Sequence, residues 1–154
     1  IILRTSWLIS PIGKNFFIKI LKLHENQKEI SVVSDQIGAI SSTFEVARIC
    51  WKIISKWNFV SKNNFINHWS CSGISSWYDI AINIGVIAKK YKILDSPAIV
   101  NPIKTENYST LAKRPIFSLL DCEKTSKTLN LNRKYWQHEL EMIISEFANN
   151  KNIF

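Results

Sequence analysis

The order of segments along this chain predicts an α/β fold, or a closely related mixed α+β one. Three observations carry that expectation. Short apolar or alternating runs typical of strands recur at Ile1–Leu3, Ile30–Val33, Phe65–Trp69 and Ala98–Val100. Most are followed by a stretch with apolar residues every three or four positions, the period of a half-buried helix. Two of those stretches open on a serine followed three residues later by an acidic residue, the signature of a helix start.

Taken in order, Ile1, Ile2 and Leu3 form an apolar run with no methionine and no polar lead-in. It reads as a strand entered midway in a buried parallel sheet, so the expectation is that neighbouring strands lie in sequence upstream. Ser10, Pro11, Ile12 and Gly13 make a turn, and Phe16, Phe17, Ile20, Leu21 and His24 then recur at helical spacing, predicting a helix from about Lys14 to Leu23. Ile30, Val32 and Val33 predict a short strand, and the polar stretch Ser34–Ser41, with Gly38 inside it, a loop. Ser42 and Glu45 predict a capping box, opening an amphipathic helix whose inner face holds Val46, Ala47, Cys50, Ile53, Ile54 and Trp57, with Trp51 pointing elsewhere.

Phe65–Trp69 is the next strand, followed by the loop Ser70–Ser75. Ser76 then caps a helix with Trp77, Ile80, Ala81, Ile84, Ile87, Ala88 and Tyr91 on one stripe, and Gly85 inside it costs about 1 kcal/mol relative to alanine. After the strand Ala98–Val100, prolines punctuate the longest irregular stretch, Asn101–Leu120, where ligand contacts are expected. A short helix over Glu123–Leu129 and a final one over Arg133–Phe147, with Trp136, Leu140, Ile143, Ile144 and Phe147 inward, complete one compact unit spanning residues 1–154. The tail from about residue 149 should be loose.

A hydrophobic fraction of 46% and a charged fraction of 21% over 154 residues exclude a disordered chain. The formal charge of +8 admits a polyanion, an anionic membrane or an anionic small molecule, but the lysines and arginines are scattered with no block of five or six, so a solvated surface or an anionic ligand fits better. No nucleic-acid-binding motif is present, and no apolar run reaches a membrane span. Cys50, Cys71 and Cys122 are odd in number and lack a C-x-x-C pair, which points to a reducing, cytoplasmic setting.

Self-contained catalysis is hard to find. The four glycines form no G-x-x-G-x-x-G or G-x-G-x-x-G turn for a dinucleotide. The residues four after Tyr78, Tyr91, Tyr108 and Tyr135 are Ile82, Asp95, Ala112 and Glu139, so no tyrosine has a lysine one turn on to lower its pKa. His24, His68 and His138 lack metal or triad spacing, and no catalytic, cofactor-binding or metal-ligating residue is assigned.

Four segments in register carry a resemblance. They are Arg4 Thr5 Ser6 Trp7 with Gly13, Asn15 and Phe16; Val32 Val33 Ser34 Asp35 Gln36 Ile37 Gly38; His68 to Ala81 with Gly73 and Ser76 Trp77 Tyr78 Asp79; and Ala112 Lys113 Arg114 Pro115 with Ser118, Leu120 and Asp121. Together they resemble the C-terminal, substrate-binding half of dTDP-4-dehydrorhamnose reductases, extended short-chain dehydrogenases on a Rossmann-type fold. The resemblance implies reduction of dTDP-4-dehydro-L-rhamnose to dTDP-L-rhamnose by NADPH or NADH, with cofactor and catalytic Tyr and Lys supplied by an N-terminal half that this chain lacks, and the fragment inactive alone. It leaves open a homodimer and a Mg2+ at its interface.

On that resemblance Trp7 lies at the sugar, the alternative being a core tryptophan at a strand end. Arg114 pairs with the nucleotide diphosphate, or else makes a surface salt bridge or clamps its own loop. Gln36 hydrogen-bonds sugar or nucleotide, and Asn15 touches ligand or caps the following helix. Trp77 reads as a packing anchor. Ile9 stands where the family has an aromatic, which removes a ring or hydroxyl near the substrate, and Ile40 with Ser41 replaces Pro-Thr. A non-catalytic relative, such as the regulatory subunit of methionine adenosyltransferases, is the rival reading, and a basic nucleic-acid-binding module a more distant one.

Overall fold

In the computed structural model, residues 1–63, 66–110 and 112–151 are described. Strand β1 (Ile2–Thr5) and the two-residue β2 (Leu8–Ile9) lead into helix α1 (Phe16–Asn26), then β3 (Glu29–Val33), β4 (Ile37–Gly38) and β5 (Ser41–Ser42). Helices α2 (Thr43–Ser55) and α3 (Trp57–Asn63), strands β6 (Ile66–Trp69) and β7 (Ser75–Ser76), helix α4 (Trp77–Lys90) and strand β8 (Ile99–Ile103) follow. A 3-10 turn (Thr105–Asn107) and helices α5 (Glu123–Leu129) and α6 (Trp136–Lys151) close the order.

The architecture is α/β. Among the described residues the strands pair in twos: β1 with β6, β2 with β5 and β3 with β8 are parallel, and β4 with β7 is antiparallel. Parallel partners need long crossovers, which here are helical, and that is why the strand and helix signals alternate in sequence. Two apolar clusters result. The larger joins α1, α4 and α6 over β3 through Phe17, Ile20, Ile84, Leu140 and Ile144, all buried. The smaller sets Ile49, Ile53, Val60, Trp69 and Leu129 against Ile1 and Leu3 of the β1 region.

Capping chemistry explains the helix starts. Asn15 is extended (φ −151°, ψ 175°), and its side chain accepts from the amides of Phe17 and Ile18, so α1 begins at Phe16 and runs to Asn26, two to three residues later at each end than the sequence predicts. Ser76 and Asp79 form a reciprocal capping box at α4. At α2 only half the predicted box exists: Ser42 Oγ accepts from the Glu45 amide at 3.3 Å, but the Glu45 carboxylate turns to Arg48, at 3.1 and 2.6 Å.

The inward face of α2 also differs from expectation. Glu45, Ile49 and Ile53 face inward, while Ala47, Cys50, Ile54 and Trp57 are exposed together with Trp51. Helix α2 carries apolar residues on more than one side, so period alone cannot choose a face. The choice falls to the buried Glu45, which Arg48 and Lys134, the latter 3.6 Å away beside α6, neutralise. Strand β8 also outruns its prediction, continuing through Pro102. Ile99 donates to Lys28 O, and alternation puts the missing donor of Pro102 on the open edge, where proline is tolerated. Helix α6 starts at Trp136 and extends to Lys151, past the point where a loose tail was expected, and residues 152–154 lie outside the described ones. Phe65, the expected start of β6, also lies outside them.

Candidate functional site

Site geometry starts at the β1–β2 junction. Trp7 has φ +42°, a left-handed conformation costing a bulky residue about 1–3 kcal/mol. Its flanks hold it there: Ser6 Oγ donates to Ala39 O at 2.8 Å, and Ser41 N donates to Trp7 O at 3.1 Å. The kink turns the indole from the strand direction to lie across β4. There a Cβ on Gly38 would stand 2.7 Å from Trp7 Cε2 and Cζ2, closer than any real contact, so only glycine lets the ring lie where it does.

The indole of Trp7 stacks on that of Trp77 with centroids 3.9 Å apart and planes 19° from parallel, and Phe16 packs on Trp77 at 4.4 Å. Trp77 occupies the first position of α4 because Ser76 caps it, and its Nε1 donates to Gln36 Oε1 at 3.2 Å. Gln36, buried, donates from Nε2 to Thr105 Oγ1 at 3.2 Å, and Thr105 in turn donates its hydroxyl to Asp35 Oδ1 at 2.6 Å and its amide at 2.9 Å. The two bonds from Thr105, side chain first, hold the Asp35 carboxyl below its ordinary value.

These aromatics form one wall of a cavity of about 900 Å3 between α1, β3 and the irregular segment after β8. Lys19 and Arg114 line it along with Tyr108, and among the described residues no Asp or Glu does. Lys19 Nζ stands 3.5 Å from Tyr108 Oη, and Arg114, exposed, pairs with no carboxylate among the described residues. An apolar, aromatic wall with two cations lacking counter-charges suits a ligand with a deoxygenated or planar part and an anionic part. A shallower hollow of about 650 Å3 beside Ile54, Trp57 and Lys127 is lined by none of the four sequence-predicted residues.

Of those four, the structure gathers Trp7, Gln36 and Arg114 around the one cavity and leaves Asn15 outside its lining. Asn15 is committed to its own turn: Oδ1 caps α1 while Nδ2 donates to Ser10 O and Ile12 O, both at 3.0 Å. Gln36 also has both ends of its amide occupied by protein partners. Trp77, read from sequence as a packing anchor, both packs and lines the cavity. Ile9 is fully buried in the main cluster and does not line the cavity, so the ring expected to be lost from the substrate's surroundings is lost from the core instead; its neighbour Leu8 is the lining residue. Lys19 and Tyr108 were not singled out. The signal for Lys19 was its place on α1 among Phe16, Ile20 and Leu23, a cation on a face otherwise apolar.

Other titratable groups lie elsewhere. Burial, then the nearby Glu139, pushes the Cys71 thiol up to about 12, so it stays protonated. His24 Nε2 and His68 Nδ1 meet the backbone carbonyls of Ala81 and Asp121 at 2.9 and 3.1 Å. No helix among the described residues is long and apolar enough to cross a membrane.

Comparison with known proteins concerns the chain as a whole. The family model of the RmlD substrate binding domain matches residues 1–149. A dTDP-4-dehydrorhamnose reductase of Aggregatibacter actinomycetemcomitans is 37% identical over 144 residues, covering 93% of this chain and 49% of that protein. A solved dTDP-4-dehydrorhamnose reductase from Clostridium acetobutylicum superposes with a TM-score of 0.79 at 33% identity, over 94% of this chain and 47% of the other. One from Bacillus anthracis, solved in complex with NADP, gives 0.78 at 28% identity over the same shares. The chain thus spans about half the length of the relatives it matches.

Proposed function

Since the chain belongs to the RmlD substrate binding domain family, we propose that its cavity is the sugar-nucleotide site of a dTDP-4-dehydrorhamnose reductase, and that the whole protein reduces dTDP-4-dehydro-L-rhamnose to dTDP-L-rhamnose. The observation that carries this reading is the pairing of the Trp7–Trp77 wall with Lys19 and Arg114 in one cavity free of carboxylates. A guanidinium fork matches two diphosphate oxygens, and the ammonium of Lys19 adds a second positive charge. Indole surface suits the methyl-bearing face of a 6-deoxy sugar. Trp7 then fixes the ring, and with it the C4 carbonyl to be reduced.

NAD(P)H supplies the hydride when bound, in keeping with the NADP complex of the Bacillus anthracis relative. The residues of this chain do not fit the cofactor: no glycine-rich turn for its pyrophosphate is present, and no tyrosine precedes a lysine by four positions. The chain therefore binds and orients the sugar nucleotide, and neither hydride nor proton transfer is assigned to it. We infer that alone it binds without turnover. Among the described residues no group of three or more His, Cys, Asp or Glu side chains is placed to hold a metal ion. The three free cysteines support a reducing, cytoplasmic setting.

Calorimetric titration with dTDP tests the site. Binding is expected, with Arg114→Ala weakening it by about tenfold or more, since a charge-assisted hydrogen bond is worth about 1.5–3 kcal/mol. The intact protein should also oxidise NADPH or NADH in the presence of dTDP-4-dehydro-L-rhamnose. Absence of dTDP binding in the wild type would reject the sugar-nucleotide reading and leave the non-catalytic relative.

A further inference from the structure

We propose that Gln36 and Trp77 are positioning residues for Trp7: a tether from Asp35 through Thr105 and Gln36 sets Trp77, and Trp77 sets the indole against which the sugar rests. This rests on the sugar-nucleotide reading above and adds to it a division of labour within the cavity wall.

Hydrogen-bond polarity makes the tether directional. The Asp35 carboxylate only accepts, so the Thr105 hydroxyl, 2.6 Å away, spends its proton there. The Thr105 oxygen is left as an acceptor and takes Gln36 Nε2–H at 3.2 Å. The Gln36 amide is thereby oriented with its carbonyl toward Trp77, whose indole N–H is donor-only and finds that oxygen at 3.2 Å. A flipped amide would set donor against donor at Trp77, and its carbonyl would face a hydroxyl already committed to Asp35. Gln36 is buried and satisfied at both ends, so a structural tether accounts for it without a direct ligand contact.

Trp7 needs such support. Its backbone is in the left-handed region, and the ring stacked on its own among the described residues is that of Trp77. Beneath it Gly38 leaves no room for a side chain. Two independent devices thus fix the indole: the tethered stack and the missing Cβ. Lys19 and Arg114, which face the anionic part of the ligand in this reading, belong to neither.

The test compares dTDP with dTDP-L-rhamnose in calorimetric titrations of the natural protein that contains this chain, using Gln36→Leu, Gly38→Ala, Thr105→Val and Thr105→Ser. Circular dichroism of the stacked indoles, which should give an exciton couplet, reports the Trp7–Trp77 geometry. Expected are dTDP affinities within about twofold of wild type, a loss of about tenfold in dTDP-L-rhamnose affinity for Gln36→Leu and Gly38→Ala, and a diminished couplet in both. Thr105→Val should show the same split, and Thr105→Ser, which keeps the hydroxyl, should abolish it. Equal weakening of both ligands would mark a general folding role and overturn the proposal. So would a lost couplet with unchanged dTDP-L-rhamnose affinity. Should Gln36→Leu not fold, the Thr105 pair decides alone. If the wild type binds neither compound, the sugar-nucleotide reading itself has failed; if it binds both and the variants show no split, only the positioning role has.

Discussion

At Asp35 the hydrogen bonds from Thr105 act on the charged form, and their effect on stability has a definite sign. The folded-state pKa lies below the ordinary 3.8, so the stabilisation is present above that value and is lost as pH falls through the folded one. In urea titrations the wild type should therefore exceed Asp35→Asn in midpoint at neutral pH, and the gap should close in acid below 3.8. A gap independent of pH would mean that the carboxylate is not the acceptor that matters. Thiol chemistry makes a second residue-level prediction. Cys50 is exposed, whereas Cys71 and Cys122 are buried and burial raises the Cys71 thiol to about 12. Iodoacetamide at pH 8 should label Cys50 in the native protein and reach the other two only after unfolding.

Between elements, Gly85 sets how closely α4 approaches α1. A Cβ there would stand 2.9 Å from His24 Cε1 and 3.0 Å from both His24 Nε2 and Pro97 Cβ. Gly85→Ala gains about 1 kcal/mol of helix propensity. Against that stands an overpacking cost of about 1–3 kcal/mol and the risk to the His24 bond with Ala81 O, worth about 1 kcal/mol. The clash should win, lowering stability by about 1–2 kcal/mol, read as a lower urea midpoint at unchanged slope. A higher midpoint would show that the imidazole gives way freely. The same scale explains α2, where the buried Glu45, held by Arg48 and Lys134, decides which face points inward. Burial raises its carboxyl pKa, but the hydrogen bond and charge of Arg48, with Lys134, outweigh burial and leave it lowered.

For the whole molecule the open feature is the β1–β6 sheet. Each strand pairs only with the other among the described residues, and Ile2 and Ile66 are exposed at 45% and 43%. A parallel pair with exposed apolar residues is a template for further strands, even though α5 meets the β6 side, where His68 N donates to Thr125 Oγ1 at 3.0 Å. In isolation the 154-residue chain should associate as its concentration rises, and Ile2→Lys with Ile66→Lys should suppress this. A sedimentation profile that stays monomeric throughout would end that idea. The net charge of +8 is spread over the surface, yet the candidate site collects Lys19 and Arg114 without a carboxylate. For binding, that placement matters more than the total.

The features legible without coordinates are local. Ser76 with Asp79 marks the start of α4, the spacing of Trp136, Leu140, Ile143 and Ile144 marks the inner face of α6, and four short motifs identify the family. Each depends on neighbours within a few positions, or on residue identities that need no coordinates. Long-range packing sets which apolar side of α2 is buried, that β8 continues through Pro102, and that Asn15 is spent on a cap while Gln36 is tied to Trp77. The two-residue strands β2, β4, β5 and β7, too short to carry a period, bring Trp7, Gly38 and Ser76 together from distant parts of the chain. Such contacts follow from pairing between segments more than thirty residues apart, and a side chain's partners at that range are set by the packed whole.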